Sequence, residues 1–119
     1  MRVYISGPMT GLPECNFPAF HEAARRFREA GFTVLDPSEN YGGDSSLPRS
    51  AYLRRDIAQV CTAHAIALLP GWEKSAGARM EVAVALELGM PILDALTMRG
   101  LRQQPDVRAV VRNDALAEA

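Results

Sequence analysis

The chain has 119 residues, with 13 Lys and Arg against 14 Asp and Glu and a net charge of −1. That length fits a single domain spanning 1–119 with a full core, and near-neutral charge excludes an electrostatic footprint for nucleic acid or an acidic membrane. Two cysteines exclude a disulfide framework, and two histidines without a cysteine pair at ligand spacing give a metal site no support. No apolar run reaches the roughly eighteen residues of a membrane span. The chain enters its first strand at Arg2 with no signal-peptide pattern ahead of it, so the expected location is the cytoplasm.

Apolar runs alternate with helical patterns along the chain. Val3-Tyr4-Ile5 reads as the first strand. Asn16 is a candidate N-cap for a helix carrying Phe17, Phe20, Ala24, Phe27 and Ala30 on one face, closed by Gly31. Phe32–Leu35 is the second strand, and Asp36–Pro48 is a Gly/Ser/Pro loop long enough to be functional. A second helix starts near Arg49, with Leu53, Ile57, Val60 and Cys61 along one face. Ala65–Leu69 is the third strand, Ala76–Leu88 the third helix and Pro91–Leu93 the fourth strand.

Such alternation requires right-handed crossovers and a parallel sheet. Continuously apolar strands point to cover on both faces. The expected architecture is therefore a three-layer α/β/α sandwich on a mainly parallel sheet of four or five strands. Beyond Asp94 the pattern weakens, and residues 95–119 read as a C-terminal extension. There Leu101, Val107, Val110 and Val111 would serve a last helix or a subunit contact.

Two segments carry the chemistry. Ser6-Gly7-Pro8-Met9-Thr10-Gly11 joins the first strand to the first helix. Glycines and hydroxyls there suit a loop whose N–H groups approach an anion, although the spacing matches neither a Walker loop nor a dinucleotide fingerprint. The same residues also suit a plain tight loop.

The second segment runs from Leu69 to Glu81, with a Pro/Gly turn, Trp72 and a Ser75 N-cap ahead of the third helix. With about 100° per residue, Glu81 falls near 200° from Arg79, while Glu87 falls near 80°. Arg79 and Glu87 thus mark the wet face, and Glu81 points away from it. Its helical neighbours Gly77, Ala78, Val84 and Ala85 include no cation. A carboxylate in that position, roughly 9 Å into the helix, faces the strand ends and suits attack on a sugar anomeric carbon.

Other candidates admit two readings. Tyr4 is either a core tyrosine with a satisfied hydroxyl or a site residue at the edge of the first loop. Asp56, in Arg54-Arg55-Asp56-Ile57, is either a solvated acid or a catalytic one. Trp72 either packs in the core or lies over a flat ligand. Ser75 serves as cap, and its hydroxyl beside free helix N–H groups is also a natural anion contact. Cys15, Cys61 and His64 read as loop residue, apolar-face filler and helix end.

Together these residues resemble the nucleoside 2-deoxyribosyltransferase superfamily, a Rossmann- or flavodoxin-like fold. The nearest branch comprises small members close to the 2′-deoxynucleoside 5′-monophosphate N-glycosidases. Its patterns Tyr-Ile-Ser-Gly-Pro-Met-Thr-Gly and Leu-Pro-Gly-Trp-Glu-x-Ser-x-Gly-Ala-x-x-Glu stand intact at residues 4–11 and 69–81. The likeness spans roughly residues 2 to 93.

The resemblance implies that Glu81 is a nucleophile forming a glycosyl-enzyme intermediate at C1′. It makes Asp56 the acid serving the base, and Tyr4 the residue that positions the nucleophile. Ser6, Gly7, Pro8, Met9, Thr10 and Gly11 would cradle the 5′ end, with Trp72, Ser75 and Gly77 completing the substrate site. Transferases carry aspartate where this chain has Ser75, as the monophosphate hydrolases do. Serine can donate to a 5′-phosphate that aspartate would repel. The implied ligand is a small nucleoside or nucleotide, handled without a cofactor by a homodimer or higher homo-oligomer.

Overall fold

The computed structural model describes residues 1–44 and 46–101. Val107, Val110 and Val111, with the expected final helix or subunit contact, lie outside these described residues. Four strands form one sheet: β1 (Arg2–Ser6), β2 (Thr33–Leu35), β3 (Ala65–Leu68) and β4 (Ile92–Asp94). Their order is β2-β1-β3-β4, and every pair is parallel. Three helices, α1 (Phe17–Glu29), α2 (Arg49–Thr62) and α3 (Ala76–Glu87), make the crossovers. The sheet thus has the smaller of the two expected strand counts among the described residues.

The period-two alternation of strand side chains divides the core into two layers. Val3 and Ile5 of β1 join Phe20, Ala23, Ala24 and Phe27 of α1 on one face. Tyr4 faces the other way, in a layer with Ile66 and Leu68 of β3, Val60 of α2 and Ala78, Val82 and Ala85 of α3. Ser6, two residues beyond Tyr4 and fully buried, shares that second face. One strand therefore supplies α1 with apolar packing and α3 with two hydroxyls.

The chain reverses direction around the sheet between β1 and β3. β2 lies to one side of β1, and β4 lies beyond β3. The crevice at the carboxyl ends of these two central strands is where open α/β sheets take ligands. Gly7 is required just past β1: a Cβ there would stand 2.7 Å from Leu69 Cβ, where the loops leaving both strands meet.

Local chemistry departs from expectation in several places. Asn16 does not cap α1, because it sits in the left-handed region at φ 60° and makes no side-chain cap bond. Its amide instead donates to the Pro8 carbonyl at 2.9 Å, tying the loop after β1 to the start of α1. Glu14 and Cys15 share the left-handed conformation, at φ 53° and 54°, unusual for consecutive residues bearing a Cβ.

The Asp36–Pro48 loop contains a short 3-10 segment, Pro37–Gly43, whose first turn is capped by buried Asp36 through Ser38 N. Cys61 is exposed rather than filling the apolar face. His64 accepts a hydrogen bond from the Arg2 backbone N–H at 2.9 Å. No helix among the described residues is long and apolar enough to cross a membrane.

Candidate active site

At the crevice lies a cavity of about 420 Å³, within the size range of small-molecule sites. One wall comes from the loop after β1, at Gly7, Met9 and Thr10. A second comes from the start of α3, with Ser75, Gly77, Ala78 and Glu81. The third is built from the loop before α2 and α2 itself, including Asn40, Asp44, Arg49, Leu53 and Asp56. Phe17 and Phe20 of α1 add an aromatic surface.

Glu81 is 6% exposed. The helical phase that turned it away from Glu87 holds, since Glu87 is exposed, although Arg79 is half-buried and Met80 and Leu88 share the outer surface. Tyr4 Oη donates to Glu81 Oε2 at 2.7 Å, and Ser6 Oγ donates to Oε1 at 2.7 Å. Both donors come from one face of β1, so strand pleat alone aligns them on the two carboxylate oxygens.

Burial lifts the Glu81 carboxyl to about 7, opposed by the Ser6 and Tyr4 hydrogen bonds, while the Asp56 charge adds to the rise. The Tyr4 phenol is held well above its ordinary range, first by burial and then by the Glu81 charge. It remains a donor throughout the working pH range.

Asp56 projects from α2 into the same cavity. It is no freely solvated acid: burial raises it to about 6, against the lowering effect of a hydrogen bond from Asn40. Asn40 Nδ2 donates to Asp56 Oδ1 at 2.9 Å. Arg55, its neighbour in sequence, turns instead over the Tyr41 ring at 5.7 Å.

Ser75 caps α3 as expected, its side chain accepting from Ala78 N at 3.2 Å, and also lines the cavity. The first turn of α3, with the positive end of its dipole, borders the cavity at Gly77.

Tyr4 stands behind Glu81 rather than in the cavity wall, and four residues named from sequence as substrate-binding also stand elsewhere. Trp72, 7% exposed, packs with Tyr4, Leu68 and Val82 and does not line the cavity. A ring of that size gains more from the apolar layer beneath α3 than from an open crevice. Ser6 sits behind Glu81, with its hydroxyl committed there. Pro8 accepts from Asn16 through its carbonyl, and exposed Gly11 supplies a turn at φ 81°.

Sequence reasoning missed Asn40, Arg49, Leu53 and the α1 phenylalanines as cavity residues. Phe17 and Phe20 carried a signal, since both lie on the inner stripe of α1 directly after the glycine-rich loop. Nothing local marked Asn40.

The four-stranded parallel α/β fold is similar to that of a solved 2-deoxyribosyltransferase. That enzyme, from the psychrotolerant bacterium Bacillus psychrosaccharolyticus, superposes with a TM-score of 0.63 at 19% identity, covering 78% of this chain and 70% of that one. Residues 1–94 match the family described as a domain of unknown function, DUF4406, and the chain belongs to that family. No curated protein matches it.

Proposed function

We propose that this protein cleaves the N-glycosidic bond of a (2′-deoxy)nucleoside 5′-monophosphate, by hydrolysis or base exchange. The observation that carries this reading is the buried Glu81 carboxylate, gripped at both oxygens by Tyr4 and Ser6 and facing a cavity shared with Asp56. The 2-deoxyribosyltransferase fold supports the same chemistry.

In the reaction, a Glu81 oxygen bonds to C1′ as the C1′–N bond breaks, and the bonding pair leaves with the base. Protonated Asp56 delivers its proton to the departing base nitrogen. Asp56, now a carboxylate, takes a proton from water as that water attacks C1′, and Glu81 is released as a carboxylate. An incoming base in place of water gives exchange. Two displacements give overall retention. Tyr4 and Ser6 hold the carboxylate against rotation, so little orientation is lost on reaching the transition state.

The sugar 5′-phosphate rests on the Gly7–Thr10 wall and the Ser75 start of α3, where a hydroxyl and the helix dipole favour an anion. Phe17, Phe20 and Leu53 give the base an apolar surface. The chemistry requires no metal or cofactor. The protein acts in the cytoplasm as a homodimer or higher homo-oligomer, and Met80 and Leu88, exposed eight residues apart along α3, offer apolar surface for the subunit contact.

Incubation with a panel of deoxynucleoside and ribonucleoside monophosphates, with free base measured by chromatography, tests the proposal. Base release abolished in Glu81→Ala is expected. Binding without release would identify instead a non-catalytic nucleotide module on the same fold.

A further inference from the structure

The acid of the site is held by a residue that the reaction scheme does not use. Asn40 is 7% exposed and belongs to the loop before α2, facing Asp56 across the cavity wall. Its amide nitrogen has two protons, and both are occupied: one goes to Asp56 Oδ1 at 2.9 Å and one to Gln59 Oε1 at 2.9 Å. Its carbonyl accepts from Gln59 Nε2 at 3.1 Å. The two amides thus form a closed reciprocal pair, and the ionised Asp56 carboxylate, which can only accept, sets that pair with the Asn40 N–H toward it. An inverted Asn40 would set oxygen against oxygen at Asp56 and break both bonds with Gln59.

The parts are themselves anchored. Asp56 and Gln59 are three residues apart and share a face of α2. Asn40 lies in the short segment whose first turn is capped by Asp36, whose carboxylate receives Ser38 N at 2.9 Å and Ser38 Oγ at 2.7 Å. Asn40 itself has extended backbone, at ψ 143°, and is the first residue to leave the 3-10 turn, followed by Tyr41 and Gly42 in the left-handed region.

We infer that Asn40 is a positioning residue: its amide, clamped by Gln59, holds one oxygen of Asp56 and leaves the other for the base and its proton. This rests on the glycosidase reading for its catalytic consequence, but the clamp is a property of the free protein. Asn40 spends both N–H groups within the clamp, so it contributes through Asp56 rather than by a contact of its own to substrate.

Charges around Asp56 do not offer a substitute. The other ionisable groups of the cavity are Glu81 from α3, Asp44 from the loop, Arg49 and Tyr52 from α2 and Cys15 from the segment before α1, with Tyr4 from β1 behind Glu81. None of these donates a hydrogen bond to Asp56 among the described residues. Asn40 is the donor that favours its ionised form.

Carbon-detected NMR titration of the Asp56 carboxyl tests the clamp in the free protein. Removing a hydrogen bond to a charged group should raise the Asp56 midpoint by about one unit in Asn40→Ala. Gln59→Leu keeps Asn40 but frees its amide, and should move the midpoint the same way by less; it also serves should Asn40→Ala fail to fold. An unmoved midpoint in both variants overturns the inference.

In turnover, Asn40→Ala should lower kcat about tenfold or more with little change in KM, and should have no further effect in an Asp56→Asn background. Equal losses in the two backgrounds would show a general structural role and overturn it as well. Wild-type protein that releases no base defeats the glycosidase reading alone, while the titration still decides the role of Asn40.

Discussion

Tyr4 and Glu81 lie 77 positions apart in the chain and 2.7 Å apart in the fold. The bond runs from the middle of β1 to the second turn of α3, so it closes only when β1, β3 and α3 have all assembled. It also favours ionised Glu81 against the burial that raises its pKa, because a phenol O–H donates more strongly to a carboxylate than to a neutral carboxyl.

Tyr4→Phe removes this donor while keeping the ring in its apolar layer. The lost bond favoured ionised Glu81, so the Glu81 midpoint should rise above about 7. At neutral pH the rate should fall roughly tenfold or more, the equivalent of about 1.5–3 kcal/mol for a hydrogen bond to a charged group. A pH profile of kcat checks this; an unshifted acid limb would show that Tyr4 does not tune the nucleophile.

The wild-type profile should itself be bell-shaped and narrow. Glu81 must be ionised, so activity rises as pH passes through about 7. Asp56 must carry a proton, so activity declines above about 6. The two groups interact, and the apparent values belong to the pair. The maximum should fall between the two midpoints, and Asp56→Asn should remove the alkaline limb.

Glu81→Gln should stabilise the fold while abolishing turnover. The folded-state pKa of Glu81 stands at about 7 against a reference of 4.5. A carboxyl raised in this way favours folding fully below its unfolded value and loses that contribution as pH rises through the folded one. The wild-type penalty is therefore complete above about pH 7 and absent below about pH 4.5. Thermal melts at pH 8 should show the variant more stable by on the order of 3 kcal/mol, with the difference vanishing in acid. A difference that persists at pH 4 would assign it to packing instead.

Ser75→Asp separates capping from recognition. Aspartate caps helices as well as serine and suits the positive end of the α3 dipole, so the melting temperature should hold. A 5′-phosphate would meet a like charge. KM for a monophosphate should rise tenfold or more, while the corresponding nucleoside is spared or favoured. Equal effects on both ligands would move the phosphate away from Ser75.

Gly7→Ala tests the close passage between the two central loops. The added Cβ would meet Leu69 Cβ at 2.7 Å, an atom fixed to the backbone rather than the tip of a flexible chain. A loss of about 1–3 kcal/mol in denaturant melts is expected. An unchanged midpoint would show that the crossing relaxes freely.

The parallel sheet and three helices were legible because apolar runs and helical periods are local properties of the chain. Glu81 was legible for the same reason, as a carboxylate out of phase with the wet face of its helix. Tyr4 and Ser6 share a strand face by simple alternation, yet their common target could not be read without knowing that α3 crosses that face. Asn40 was invisible, since its two partners lie 16 and 19 residues away and no local pattern links them. Asn16 misled because Asn both caps helices and tolerates the left-handed conformation, and here the second property prevailed. Trp72 had two homes open to it, and burial decided between them.

β1 serves two purposes with five residues. Val3 and Ile5 fasten the sheet to α1, and Tyr4 and Ser6 grip the Glu81 carboxylate from behind. A one-residue slip of this strand would exchange the two sets and cost the core and the carboxylate their partners together. Loss of register is therefore loss of chemistry, and a folded protein with a misaligned site is hard to reach through this strand. New specificity has to be written on the cavity's other walls, in the loop before α2 and at the mouth of α3, where a residue can change without disturbing the alignment beneath it.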